Sequence, residues 1–252
     1  MRHTTSSKLR YVIPAIVYLL LWEALALYLD SRVLLVSPVE VATRLVELSG
    51  TAEFWFSVLF SIERIFLGLI IAIAVSFISG VLSARFTFFR DMIEPVVMTM
   101  KATPVASIVI LVLIWVSSRN LSVVISFMMV FPVMHTSFYE GIANVDISYL
   151  EMAKVYGVRP WKRIRYLYLP GLAQSFESGI TIALGLCFKS GIAAEVIAVP
   201  DGSIGEKLYE AKLYLATADL FAWTLSIIIL AKVFEKGLLF ITGRLIRKME
   251  IS

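Results

Sequence analysis

The chain has 252 residues, of which 59% are hydrophobic and 17% charged, against roughly 45–50% and about 25% in soluble domains. With a mean hydropathy of +0.86 and a net charge of +4, it cannot be a soluble globule, whose surface needs far more polar cover. Disorder, collagen, coiled coil and disulfide-knotted scaffolds are excluded at the same step, so an all-α, polytopic integral membrane protein is expected.

A helix needs about 20 mostly apolar residues to cross the hydrocarbon core. Six stretches qualify in chain order: 11–29, 58–84, 95–116, 121–139, 171–197 and 219–241. Residues 65–84 contain no charge at all, nor do 121–138. Residues 11–29 are apolar except for Glu23 and 95–116 except for Lys101, while 171–194 carry Glu177 and Lys189 and 220–241 carry Lys232, Glu235 and Lys236. An N-terminal basic segment followed by Ala24-Leu25-Ala26 has the outline of a cleavable signal. The apolar run continues to Leu29, however, which favours a retained first span.

Charge sets the expected topology. With the N-terminus inside, segments 1–10, 85–91, 140–170 and the tail from Arg244 hold 13 of the 23 Lys and Arg. The outer segments hold five, Arg32, Arg44, Arg119, Lys207 and Lys212, beside seven acidic residues. This is the positive-inside pattern, and it places both termini of a multi-pass protein in the cytoplasm.

Small residues are ordered within two spans. Gly68, Ala72, Ser76, Gly80 and Ala84 recur every four residues, as do Gly171, Ser175, Gly179, Ala183, Cys187 and Gly191. Such stripes let neighbouring helices approach closely. Packing inside one bundle is the simplest use; a subunit interface or a pathway wall is the alternative. Pro104 and Pro132 each remove a backbone hydrogen bond and are expected to bend their helices.

The long inner segment 140–170 reads as helix–turn–helix. Asp146 or Ser148 caps a first helix over 148–156, Gly157 ends it, and Pro160 suits the first turn of a second. Pro170 then starts the next span. Ala153 and Gly157 are small and one turn apart, giving a shallow surface, while Glu151 stands near the helix N-terminus, where negative charge is favoured. Lys162, Arg163 and Arg165 can face lipid headgroups or an acidic partner.

Glu151-x-Ala153-x3-Gly157-x9-Leu167-x-Leu169-Pro170 resembles the "EAA" signature of permease subunits in binding-protein-dependent ABC importers, with Met152 and Leu167 as mild departures. Ser37-Pro38-x2-Val41, Ser61-x2-Arg64-x3-Gly68, Glu94-Pro95, Phe131-Pro132, residues 193–197 (AAEVI) and residues 202–205 (GSIG) are similar to the nitrate/sulfonate/taurine branch. The resemblance runs over about residues 30–244 of a single permease domain, 1–252, with its core at 58–244. It implies that Glu151, Met152, Ala153, Gly157 and Val158 couple the chain to a cytoplasmic ABC ATPase dimer. It also implies a second permease copy as a homodimer partner and an extracytoplasmic solute-binding protein. No nucleic-acid partner is implied. The transported solute is expected to be small and polar or anionic.

The chain itself is expected to be no enzyme and to bind no cofactor. A phosphate-binding Walker loop needs Gly-Lys, a pair absent from the sequence; ATP and Mg belong on the partner ATPase. One cysteine, Cys187, and two distant histidines, His3 and His135, leave no cysteine- or histidine-rich metal site. Lys101 and Lys189 are costly at roughly 2.5–3.5 kcal/mol each at mid-bilayer, so each faces a wet cavity, a carboxylate or the membrane edge. They and Glu195 are the expected pathway residues; Glu94–Lys101 and Lys189–Glu195 are possible internal pairs. His135, beside apolar FPVM, reads as a packed residue. A secondary transporter or channel without an ATPase is the alternative. It would be favoured by an inverted repeat or paired acidic residues within spans, and the sequence shows neither.

Overall fold

The computed structural model describes residues 4–29, 31 and 33–251, all of whose regular structure is helical. In chain order these are α1 (Thr4–Leu29), α2 (Pro38–Ser49), α3 (Ala52–Arg85), α4 (Thr87–Ala102), α5 (Val105–Val112) and α6 (Ser118–Ala143). They continue with α7 (Ile147–Val155), α8 (Pro160–Arg163), a π turn (Ile164–Tyr168), α9 (Leu169–Ala198), α10 (Ile204–Leu213) and α11 (Thr217–Ile251). All-α architecture follows from the composition: with apolar residues on every side, backbone groups must be satisfied within each segment.

Five of the six apolar stretches each lie within a single helix, and the third, 95–116, does not. α3, α6 and the continuous run Pro160–Ala198 are long and apolar enough to cross a membrane, and α4 with α5 is a fourth if taken as one bent unit. The apolar part of α1, Ile13–Leu29, is shorter, and α11 carries Lys232, Glu235 and Lys236 near its middle.

α6 is the centre of the bundle, with α3 on one side and α9 on the other. The two small-residue stripes create this slab. A Cβ on Gly80 would lie 2.7 Å from the Phe138 Cβ, and one on Gly179 only 2.8 Å from the Ser137 Cβ. The Ser76 hydroxyl donates to the Phe131 carbonyl at 3.0 Å, and the Cys187 thiol to the Ile65 carbonyl at 3.4 Å. Both stripes therefore serve packing inside the chain. Around them Ile65, Leu69, Met134, Ile180 and Leu184 are almost fully buried.

The third expected span departs from its simple outline. Residues 95–116 do not form one helix: α4 and α5 meet at 106° across Thr103 and Pro104. Pro104 has no N–H to continue α4 and serves instead as the N-cap residue of α5. Pro132 does not interrupt α6, which runs through it. Outside the slab, Ser37 caps α2 by accepting from the Glu40 N–H, with Pro38 in its first turn. α2 is held to α11 by the Arg44–Asp219 ion pair, and the Trp22 indole N–H of α1 reaches the Val36 carbonyl at 3.0 Å.

Candidate functional site: the inner loop and the in-membrane charges

The loop forms from local rules. Asp146 is the N-cap of α7, its carboxylate accepting the Ser148 N–H at 2.8 Å; that bond holds the acid below its ordinary range. Gly157 ends the helix with φ +62°, a conformation costing an L-residue roughly 1–2 kcal/mol. There Gly157 N–H bonds the Lys154 carbonyl at 3.2 Å and Val158 N–H the Ala153 carbonyl at 2.9 Å, the paired closure of a Schellman-type end. A Cβ at Gly157 would touch nothing within 4 Å, so the position needs glycine for its backbone angle and not for space.

The second half of the loop is not a separate helix. α8, the π turn and α9 form one continuous run, Pro160–Ala198, of 39 residues. Pro170 has no N–H to give its α-helical acceptor, the carbonyl four residues back, and the backbone widens just before it. Leu169 N–H accordingly bonds the Ile164 carbonyl. Arg163 Nε donates to the Val158 carbonyl at 2.7 Å and fastens α7's exit to this shaft.

The five expected coupling residues do not share one face. Glu151, Met152 and Gly157 are exposed and Val158 is half-buried, whereas Ala153 is buried within the chain. Two residues on a helix differ by about 200°, so Glu151 and Ala153 point to opposite sides. Ala153 is small because it packs inward. The outward surface is instead Tyr149, Met152, Val155 and Tyr156, the last two 83% and 79% exposed. The sequence carried this signal as apolar residues scattered around the motif. Beneath α7 a concavity of about 660 Å³ is lined by Asn144, Asp146, Tyr149, Tyr166, Pro170 and Gln174, among others.

The three in-membrane charges separate likewise. Lys189 is exposed and makes no ion pair among the described residues, on an open side of α9 where Gly185 has nothing within 4 Å. Glu195 is 1% exposed and turned the other way. Its Oε2 accepts from the Ser61 hydroxyl at 2.6 Å and from Gly205 N–H at 3.4 Å, while Ser61 Oγ accepts Ile204 N–H at 2.9 Å. Glu195 thus ties the start of α10 to α3 and does not pair with Lys189. Sequence reasoning missed Ser61 as its partner, since 134 positions separate them.

Lys101, beside the α4–α5 break, donates to the Thr136 hydroxyl at 2.9 Å. It borders a cleft of about 470 Å³ between α4 and α6, shared with Arg90, Glu94, His135 and Tyr139. Glu94 and Lys101 line the same cleft without an ion pair between them among the described residues. No group of three or more His, Cys, Asp or Glu suited to a metal occurs among the described residues.

A bundle tied by small residues, broken once at Pro104 and carrying a short glycine-ended helix on a basic loop is the architecture of a polytopic membrane protein. Residues 65–250 match the family described as binding-protein-dependent transport system inner membrane component, and the chain belongs to that family. It is similar to the taurine transport system permease protein TauC of Escherichia coli, with 25% identity over 230 residues, 89% of this chain and 83% of TauC. It is 22% identical over 239 residues to the putative aliphatic sulfonates transport permease protein SsuC of Bacillus subtilis, covering 94% and 86% of the two chains. A probable ABC transporter permease protein of Brucella melitensis is 25% identical over 199 residues, 79% and 80% of the two. The chain is thus an ABC-type permease, a transport component of the membrane.

Proposed function

We propose that this chain is the membrane-spanning subunit of an ATP-driven importer, moving a small polar or anionic solute from an extracytoplasmic binding protein into the cytoplasm. In this reading two copies pair, each crossing the inner membrane six times with both termini inside, and a dimer of a separate ATPase binds ATP and Mg beneath them. The bent α4–α5 unit supplies one crossing, and α1 and α11 supply the two that length and hydropathy alone leave open. The observation that carries the reading is α7. It is a short, capped helix on the most basic loop, with Tyr149, Met152, Val155 and Tyr156 turned outward and exposed among the described residues.

Isolated helices this short are marginal in water, so α7 is useful as a rigid element only because both ends are fixed. Asp146 holds one and the Gly157 closure with Arg163 holds the other. Displacement of α7 by the closing ATPase therefore passes into the 39-residue shaft, about 58 Å long at 1.5 Å per residue. Lys189 and Glu195 lie toward its far end. The solute's acidic group meets Lys189 on the open side, while Glu195 holds α10 in place on the closed side.

The test is cross-linking of the assembled complex. The native Cys187 is buried, so Met152→Cys supplies the accessible thiol. It should cross-link to an ATPase subunit co-purified with the full chain, and Val155→Cys should do the same. Recovery of the chain without any ATPase, and with α7 thiols freely labelled, would refute the reading.

A further inference from the structure

We propose that Lys101, Thr136 and His135 form a binding site for the oxyanion head of a small solute in the cleft between α4 and α6. The importer reading supplies its role as a station on the transport route; the binding itself stands apart from that reading.

The cleft is built and not incidental. Thr136 Oγ1 donates to the Pro132 carbonyl at 2.8 Å, so its lone pairs remain for Lys101, whose ammonium donates to it at 2.9 Å. The ammonium is thereby fixed with two N–H bonds still to give. His135 is 6% exposed and its Nδ1 lies 2.8 Å from the Ser79 hydroxyl of α3. Ser79 also reaches the Ser76 carbonyl, at the longer distance of 3.2 Å. With the hydroxyl hydrogen on the shorter contact, Nδ1 accepts, and Nε2 carries the ring hydrogen. Nε2 is then a donor on a ring that lines the same cleft as Lys101.

A fixed ammonium and a fixed N–H donor together match an oxygen-rich anionic head such as a sulfonate, which presents several acceptors at once. Arg90, bonded to the Tyr139 hydroxyl at 3.3 Å and paired with Asp91 at 3.4 Å, also lines the cleft with its charge already met, so Lys101 is the cation left for the solute. Glu94 and Glu140 also line it. Glu94 is seven residues, about 10 Å, before Lys101 along α4, so the acids oppose a multiply charged anion and tolerate a cationic tail on the solute. The class is a small monoanion or zwitterion with one oxyanion head.

The chain has two histidines, so a preparation labelled with ¹³C-histidine gives two ring signals, and His3→Gln assigns them. In the full chain reconstituted in nanodiscs, ethanesulfonate and taurine should each shift the His135 signal saturably, and choline chloride at equal ionic strength should not. Lys101→Gln should raise the half-saturating concentration about tenfold, and Lys101→Arg should largely retain it. If Lys101→Gln fails to insert, Thr136→Val provides the second arm, with an expected weakening of several-fold. Absence of a sulfonate-specific shift, or a shift indifferent to these variants, overturns the site. A His135 response in a chain that recruits no ATPase would sink the importer reading alone. ATP-driven uptake without a His135 response would sink the site alone.

Discussion

α9 has two sides that look alike in sequence and differ in the structure. On the closed side, Gly179, Ala183, Cys187 and Gly191 press against α6 and α3, where an added Cβ would collide with Ser137, Ile65 or Ser126. On the open side, Thr181, Gly185 and Lys189 face away from the chain, and a Cβ at Gly185 meets nothing. Glycine on the first side permits helix contact. Glycine on the second has no neighbour among the described residues, and a lysine in the same row is costly against lipid. α7 repeats the division on a smaller scale, with Ala153 inward and Met152 and Val155 outward. Small residues in a membrane helix thus indicate closeness only where a neighbour is present to be close to.

The strongest way to break this comparison is a matched pair of substitutions. Gly179→Leu should force α6 and α9 apart, overpacking the slab by at least 1–3 kcal/mol and sharply lowering the yield of folded protein in the membrane. Gly185→Leu should leave monomer stability unchanged or slightly raised, since leucine is the better helix former by under about 1 kcal/mol. It should instead lower the dimeric fraction in size-exclusion runs. Equal effects from both would erase the distinction between the two sides.

Glu195→Ala tests the closed side nearer its outer end. It strands the Ser61 hydroxyl and the Gly205 N–H in a buried place, at about 1–3 kcal/mol for a lost partner. Thermal unfolding should fall by several degrees, and protease sensitivity should rise at residues 199–213. Lys189→Met tests the open side. Because Lys189 has no internal ion pair among the described residues, folding and complex yield should hold while uptake of an anionic solute drops several-fold. Reduced yield with normal uptake would show a structural role. Smallest of all, Asp219→Asn weakens a partly exposed pair with Arg44 and should cost no more than about 1 kcal/mol, read as a small shift in the melting of the α2–α11 contact.

Much of this was legible in the sequence because membrane helices obey strong one-dimensional rules. Apolar length located the long helices but not the short α2 and α10, four-residue spacing of small residues located the slab, and Asp146 and Gly157 located the limits of α7. What stayed hidden depends on direction. The bend at Pro104 follows from its missing N–H, but its size, 106°, does not, since hydropathy registers apolar length and not direction. The family-like loop motif did not say that Ala153 would turn inward, although its offset of two from Glu151 already set them on opposite faces. The buried bond between Ser61 and Glu195, and the meeting of His135 with Lys101 in one cleft, join distant positions that no local pattern relates. His135 was read as packed; it is packed, and its ring also borders the cleft.

The central claim is that α7 transmits the work of an ATPase through a helix end fixed by Gly157, and two variants at that residue test it most directly. Asparagine tolerates a positive φ, whereas leucine does not. The account predicts that Gly157→Asn keeps most solute-stimulated ATP hydrolysis in the reconstituted complex. It predicts that Gly157→Leu loses at least tenfold of that stimulation while remaining in the membrane with its ATPase bound. Normal stimulation in the leucine variant would contradict the account.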